Sequence, residues 1–160
     1  MLSVDALNQL ALFVGIQQED VEAIWALGKV VQHDEGDILF ERGGEAHEVL
    51  VVESGSVALF FPVPILGAIK EVNVEYAGPG DLLAWSALVS PYTLTLSARC
   101  VERGQVRLLP REALVECLKG RPGAGYTLMT NLAAIIGQRL QDAQNLWLRE
   151  VQARIVARLE

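Results

Sequence analysis

The chain has 160 residues, 51% of them hydrophobic, which is enough for one domain with a sizeable core and an appended element. No apolar run reaches the roughly 20 residues a bilayer span needs. The opening MLSVDALNQL lacks the basic region and apolar stretch of a secretory signal, so the expected setting is the cytoplasm. The net charge of −7 is uneven: residues 1–81 carry −11 and residues 82–160 carry +4. An acidic front half argues against direct contact with nucleic acid, whose phosphates need clustered cations.

The chain opens with helical spacing at Val4, Leu7, Leu10 and Ala11, predicting a first helix over residues 3–13. A second helix follows Gln17, with Val21, Ile24, Trp25 and Leu27 on its apolar side and Gly28 closing it. Glu19 and Asp20 at its start suit the helix dipole. From Lys29 the texture becomes strand and turn. Val30 and Val31 form one strand, and residues 34–37 turn into a second over residues 38–40. Residues 49–52 read as a buried strand, 53–56 as a tight hairpin turn, and 57–61 as the strand that pairs back. A hairpin tip at 62–67 leads to a strand over 69–76, and two last strands cover 94–101 and 105–109. Many short strands at regular spacing predict an antiparallel sandwich or barrel of about eight strands rather than a parallel α/β sheet.

After Pro110 the period changes to helical. Residues 111–118 make a short helix, and Gly120, Pro122, Gly123 and Gly125 read as a break. From residue 126 to the end, Leu132, Ile136, Leu140, Ala143, Trp147, Val151, Ile155 and Leu159 recur every three or four positions. This is one long amphipathic helix of roughly 50 Å, longer than a small domain. Its stripe needs a partner, and the simplest is its copy in a second chain, with Gly137 allowing close approach. Arg139, Arg149, Arg154 and Arg158 read as its solvated face. The division is therefore 1–125 for the sheet domain with its N-terminal helices and 126–160 for the helix.

The residues offer little for catalysis or cofactors. Cys100 and Cys117 are far apart and read as small buried residues; an iron–sulfur cluster wants about four cysteines. His33 and His47 both read as solvent-facing, too few for zinc and without the apolar enclosure of a haem ligand. Ser54 and Ser56 sit in a predicted hairpin turn, with no histidine in a matching context. No enzyme, metal or cofactor is expected.

Residues 78–99, GPGDLLAWSALVSPYTLTLSAR, carry the most information. They resemble the phosphate-binding cassette of the cyclic-nucleotide-binding domain, as in Crp/Fnr regulators. Asp34-Glu35-Gly36-Asp37-Ile38-Leu39-Phe40, Arg42-Gly43-Gly44-Glu45-Ala46 and Glu53-Ser54-Gly55-Ser56-Val57 resemble further motifs of that family, in the same order. The resemblance implies a jelly-roll-like β-roll (a double-stranded β-helix) with flanking helices, a small-molecule effector, and a homodimer formed through the long helix. It implies either a stand-alone sensor module or the sensor half of a regulator ending before its DNA-binding part. In the family, a Gly-Glu pair opens the cassette helix and a later Arg holds the cyclic phosphate. Here Gly78, Pro79, Gly80 and Asp81 keep the turn, but Ala84 and Trp85 stand at the Gly-Glu pair and Thr93 or a neighbour at the Arg.

A buried anion needs a cation or convergent donors. The amides around Ala84 to Ala87 and the hydroxyls of Ser86, Thr93, Thr95 and Ser97 remain, and Arg99 is the only cation nearby in sequence. Trp85 would fill the ribose space. The expectation is a pocket that binds cyclic AMP or cyclic GMP weakly or not at all. The alternative is a reshaped pocket in which Trp85 and Tyr92 stack on a flat apolar ligand. Gly80, Ala84, Trp85, Ser86, Ala87, Tyr92, Thr93 and Thr95 are the candidate site. Leu132, Ile136, Leu140, Ala143, Trp147, Val151 and Ile155 are the candidate dimer seam.

Overall fold

The computed structural model describes residues 4–158. The elements run α1 (Val4–Leu7), α2 (Gln18–Trp25), β1 (Lys29–His33), β2 (Ile38–Phe40), β3 (Glu48–Ile65), β4 (Ala68–Ala77), β5 (Leu82–Leu83), a 3-10 turn (Trp85–Leu88), β6 (Ser97–Pro110), α3 (Arg111–Lys119) and α4 (Pro122–Val156). All strand pairs are antiparallel, in the order β1-β6-β3-β4, with β2 on β6 and β5 on β3. The long strands β3 and β6 pair from Glu48↔Pro110 to Phe60↔Ser97 and form the spine of a β-roll flanked by helices.

The spine corrects two sequence expectations. Residues 53–56 are not a hairpin turn, and residues 102–104 do not separate two strands; both lie inside continuous strands. The strand 57–61 pairs with β4 and β6, not back onto 49–52. The glycines there serve a close approach instead. A Cβ on Gly104 would sit 2.0 Å from the Ser54 carbonyl oxygen, and one on Gly55 2.8 Å from that of Glu102. The register shifts between Val52 and Val57 at this crossing. Cutting β3 and β6 there turns the six observed strands into about the eight short ones expected. The real hairpin turn is Leu66-Gly67, where both residues have positive φ (51° and 81°), as a two-residue connection of matching twist requires.

The N-terminal segment differs as well. The expected helix over 3–13 is a four-residue α1 followed by turns. Asn131 of α4 donates from Nδ2 to the carbonyls of Leu12 (3.0 Å) and Val14 (2.8 Å), so these groups are satisfied outside any helix. Phe13 is buried instead and meets Trp25 edge-on at 6.0 Å. The core joins this segment, Val21 and Ile24 of α2, the valines of β3, and Leu114 of α3 to Leu128 and Leu132 of α4.

One buried ion pair staples the corner between α2 and β1 to the sheet. Arg107 of β6 donates to Glu53 Oε1 at 2.6 Å and to the carbonyls of Trp25 and Gly28 at 3.2 and 3.1 Å. Its guanidinium lies 4.4 Å from the Trp25 ring centroid.

The long helix starts earlier than its sequence suggests. Pro122 occupies the first turn, where its missing N–H costs nothing, so Gly123 and Gly125 are helical rather than a break. Gly125 lets α4 pass α3 closely: a Cβ there would stand 3.4 Å from the Leu118 carbonyl oxygen. Leu132 is buried against the roll and Ile136 packs beside it, so these two positions of the expected seam belong to the chain's own core. Leu159 lies outside the described residues.

Candidate functional site

The cassette turn is built as its sequence suggests. Asp81 accepts the Gly78 amide at 2.9 Å through Oδ2, closing the turn. Gly80, at φ 95°, donates to the Val52 carbonyl at 2.8 Å, and the Val52 amide donates to the Asp81 carbonyl at 3.1 Å. The turn is thereby docked on β3. β5 then delivers Ala84, which adopts a left-handed backbone (φ 53°, ψ 37°) immediately before the 3-10 turn. That conformation favours glycine, and Ala84 stands where the resembled family has one.

Behind this corner lies a cavity of about 20 Å³, lined by Phe40, Leu59, Ala84, Trp85, Ser86, Leu94, Thr95, Leu96 and Arg139. It has room for about one water molecule. Of the expected site residues, the structure brings Ala84, Trp85, Ser86 and Thr95 together here. Four others lie elsewhere. Gly80 belongs to the docked turn, and Ala87 is fully buried in the core. Thr93 is exposed and bridges to Glu45. Tyr92 stacks under the Arg111 guanidinium at 4.5 Å and does not line the cavity, so the expected sandwich of Trp85 and Tyr92 does not form in this structure. The left-handed backbone of Tyr92 (φ 60°) and its bond to the Ala46 amide turn it towards that loop.

Arg99 does not line the cavity either. Its neighbour Ala98 faces the core, so strand alternation turns Arg99 to the other face. There it pairs with Glu71 and donates to the Gly36 carbonyl at 3.2 Å.

The cation at the cavity is Arg139, which sequence reasoning assigned to a solvated face. Its Nη2 donates to the Leu82 carbonyl at 2.6 Å and lies 3.6 Å from Glu75 Oε1. Its side chain is only 22% exposed, because the inner part of α4 lies along the roll. The available signal was its place one turn after Ile135 and Ile136, at the edge of the apolar stripe. A larger groove of about 420 Å³ lies on the other side of Arg139, between α4, the N-terminal segment and the cassette turn, rimmed by Glu75, Asp81 and Asp142.

The histidines line a neighbouring hollow of about 240 Å³ that shares Phe40, Ala84 and Leu94 with this cavity, and the cysteines line neither. His47 is exposed, but His33 is half-buried, 3.8 Å from Asp37, which corrects its solvent-facing reading. Burial pushes the Cys100 thiol up, and the nearby Asp37 charge adds to the shift. Cys117 is half-buried, with Arg121 Nη1 3.5 Å from its sulfur.

Known proteins place the fold. Residues 30–121, more than half of the chain, match the family model of the cyclic nucleotide-binding domain. The cyclic AMP receptor protein of Thermus thermophilus is 28% identical over 132 residues, spanning 82% of this chain. The chain covers 58% of that receptor's length. A putative cyclic nucleotide-binding protein from Geobacter metallireducens superposes with a TM-score of 0.72 at 25% identity, over 88% of this chain and 99% of that one. The catabolite activator protein of Thermus thermophilus gives 0.72 at 27% identity, over 89% of this chain and 63% of that one. With the ordered strands, the docked cassette turn and the long following helix, these matches establish that the chain belongs to the cyclic nucleotide-binding domain family.

Proposed function

We propose that the chain is a non-enzymatic regulatory sensor module whose cassette pocket binds cyclic AMP and cyclic GMP weakly or not at all. One observation carries the reading: the cavity under Trp85 holds about 20 Å³ and the hollow that adjoins it at Phe40, Ala84 and Leu94 about 240 Å³, whereas small-molecule sites run to roughly 300 Å³ or more. The substitutions at the cassette support it. Trp85 supplies no carboxylate for a ribose hydroxyl, and no arginine of the cassette strand reaches the cavity. The module works as a homodimer joined through the outer part of α4, and it makes no direct contact with nucleic acid. Titration calorimetry with both cyclic nucleotides is the test. Dissociation constants well above about 1 μM are expected; sub-micromolar binding of either refutes the reading.

The longer relatives favour a second reading for the context of the same module. The chain covers 63% of the Thermus catabolite activator protein, so the sensor here would be one half of a longer regulator. A reading frame in the parent gene that continues into a DNA-binding segment would support it, and a stop codon after Glu160 would refute it.

A further inference from the structure

The groove of about 420 Å³ beside Arg139 shares only that residue with the cassette cavity and none with the neighbouring hollow. Strand alternation divides the spaces. Leu50 of β3 lines the hollow, whereas the next residue, Val51, lines the groove on the opposite face of the sheet. The groove floor is apolar, built from Leu10, Leu12, Val51, Leu82 and Ile135. Its volume lies in the range of small-molecule sites, which starts at roughly 300 Å³. Ala134, Ile135, Gln138 and Asp142 wall it from α4, on a different helix face from Leu140, Ala143 and Trp147. The stripe inferred to pair two chains is therefore not the one that walls the groove.

Three carboxylates from three separate elements rim this floor: Glu75 of β4, Asp81 of the cassette turn and Asp142 of α4. One guanidinium joins them, and Arg139 already pairs with Glu75. Asp81 accepts from the Gly78 amide and Asp142 from the Gln138 side-chain amide, both neutral donors. Among the described residues neither carboxylate pairs with a cation. The lining therefore carries a net charge of −2, three negative groups against one positive, and a low-dielectric wall focuses its field. Among the described residues no three His, Cys, Asp or Glu side chains stand where they could hold a metal ion, so the cation that suits this charge is held by hydrogen bonds and not by chelation. We propose that the groove is a second binding site, outside the cassette, for a small organic ammonium with an aromatic or alkyl body. The ammonium donates to the carboxylates of Asp81 and Asp142, and the body covers Leu10, Leu12 and Ile135. Because the groove lies between the N-terminal segment, the cassette turn and α4, its occupant ties the helix to the outside of the cassette.

Calorimetry on the whole chain compares tryptamine and 2-phenylethylamine with the neutral 2-phenylethanol. No cyclic nucleotide enters the test, so its outcome is independent of the cassette reading. The amines should bind the wild type, and the alcohol at least fivefold more weakly. Asp142→Asn should weaken amine binding at least threefold and leave the alcohol unchanged. Ala134→Phe fills the groove and should weaken amine and alcohol alike at least tenfold, which separates binding in the groove from attraction to an acidic surface. Ala134 and Asp142 are both exposed on α4, and circular dichroism checks that the variants fold. If Ala134→Phe does not, Gln138→Phe on the same wall serves, with the same loss expected. Absence of amine binding to the wild type overturns the proposal. So does equal binding of amine and alcohol, unchanged amine affinity in folded Asp142→Asn, or unchanged amine affinity in a folded groove-filling variant.

Discussion

The two parts of α4 share one sequence period and have opposite surroundings. Over residues 122–136, Ala124, Leu128 and Leu132 are buried, and Ile135 and Ile136 pack against the core. Over residues 140–150 every position is exposed, including Leu140 (58%) and Trp147 (65%), and Ile155 beyond them is 54% exposed. Helical periodicity states that a stripe will be covered, but not by what. The inner part is covered by the chain's own roll. The outer part carries its apolar stripe past the end of the domain, and contiguous apolar surface of this kind marks an interaction site on a soluble protein. Arg139 stands at the border between the two, which is why one side of it meets the cassette.

The difference should be largest in stability. Leu128→Ala leaves a cavity in the core and should cost about 2–5 kcal/mol in urea denaturation. Leu140→Ala, measured at concentrations dilute enough to leave only monomer, should cost no more than about 0.5 kcal/mol. Equal losses would mean that the outer part folds back on the roll, and the contrast between the two parts would collapse.

The elements that were legible in the sequence are those set by local chemistry. The acidic start of α2, the Gly78-to-Asp81 turn and the strand textures depend on neighbours within a few residues. The spine was misread because Gly55 and Gly104 have the local signature of turns, while their purpose is a backbone crossing between strands far apart in sequence. The Glu53–Arg107 staple was invisible for the same reason: its members are 54 residues apart, and neither is unusual alone. Half of the candidate site came together, because Ala84, Trp85 and Ser86 are consecutive and Thr95 lines the same cavity. Tyr92 was lost to Arg111, and Arg139 was missed; both outcomes depend on how α3 and α4 dock.

The next test concerns association. Leu140→Glu places two like charges across any parallel seam through the outer stripe. Each large side chain buried there contributes on the order of 2 kcal/mol, so losing the seam at its centre should dissociate it. Light scattering should show a dimer for the wild type at micromolar concentration and a monomer for the variant, with the denaturation of the monomeric roll unchanged. A wild-type monomer under those conditions would leave the outer part of α4 without the partner inferred for it.

The smallest effect belongs to Gly137, and it has the finest resolution because its sign depends on the partner. Gly137 lies beside the border between the two parts, and a methyl added there meets no atom within 4 Å in the isolated chain. In that chain Gly137→Ala should stabilise the helix by about 0.5–1 kcal/mol, since alanine loses less backbone entropy on folding. If the seam extends inward to residue 137, the same methyl stands where a second helix approaches and the dimer weakens instead. Stability measured over a range of protein concentrations separates the two, because dimerisation makes stability concentration-dependent and helix propensity does not. A uniform gain at all concentrations places the start of the seam after Gly137, at Leu140. A gain in dilute solution that is lost as the dimer forms moves its start inward, next to Arg139, and would put the partner helix beside the cassette cavity.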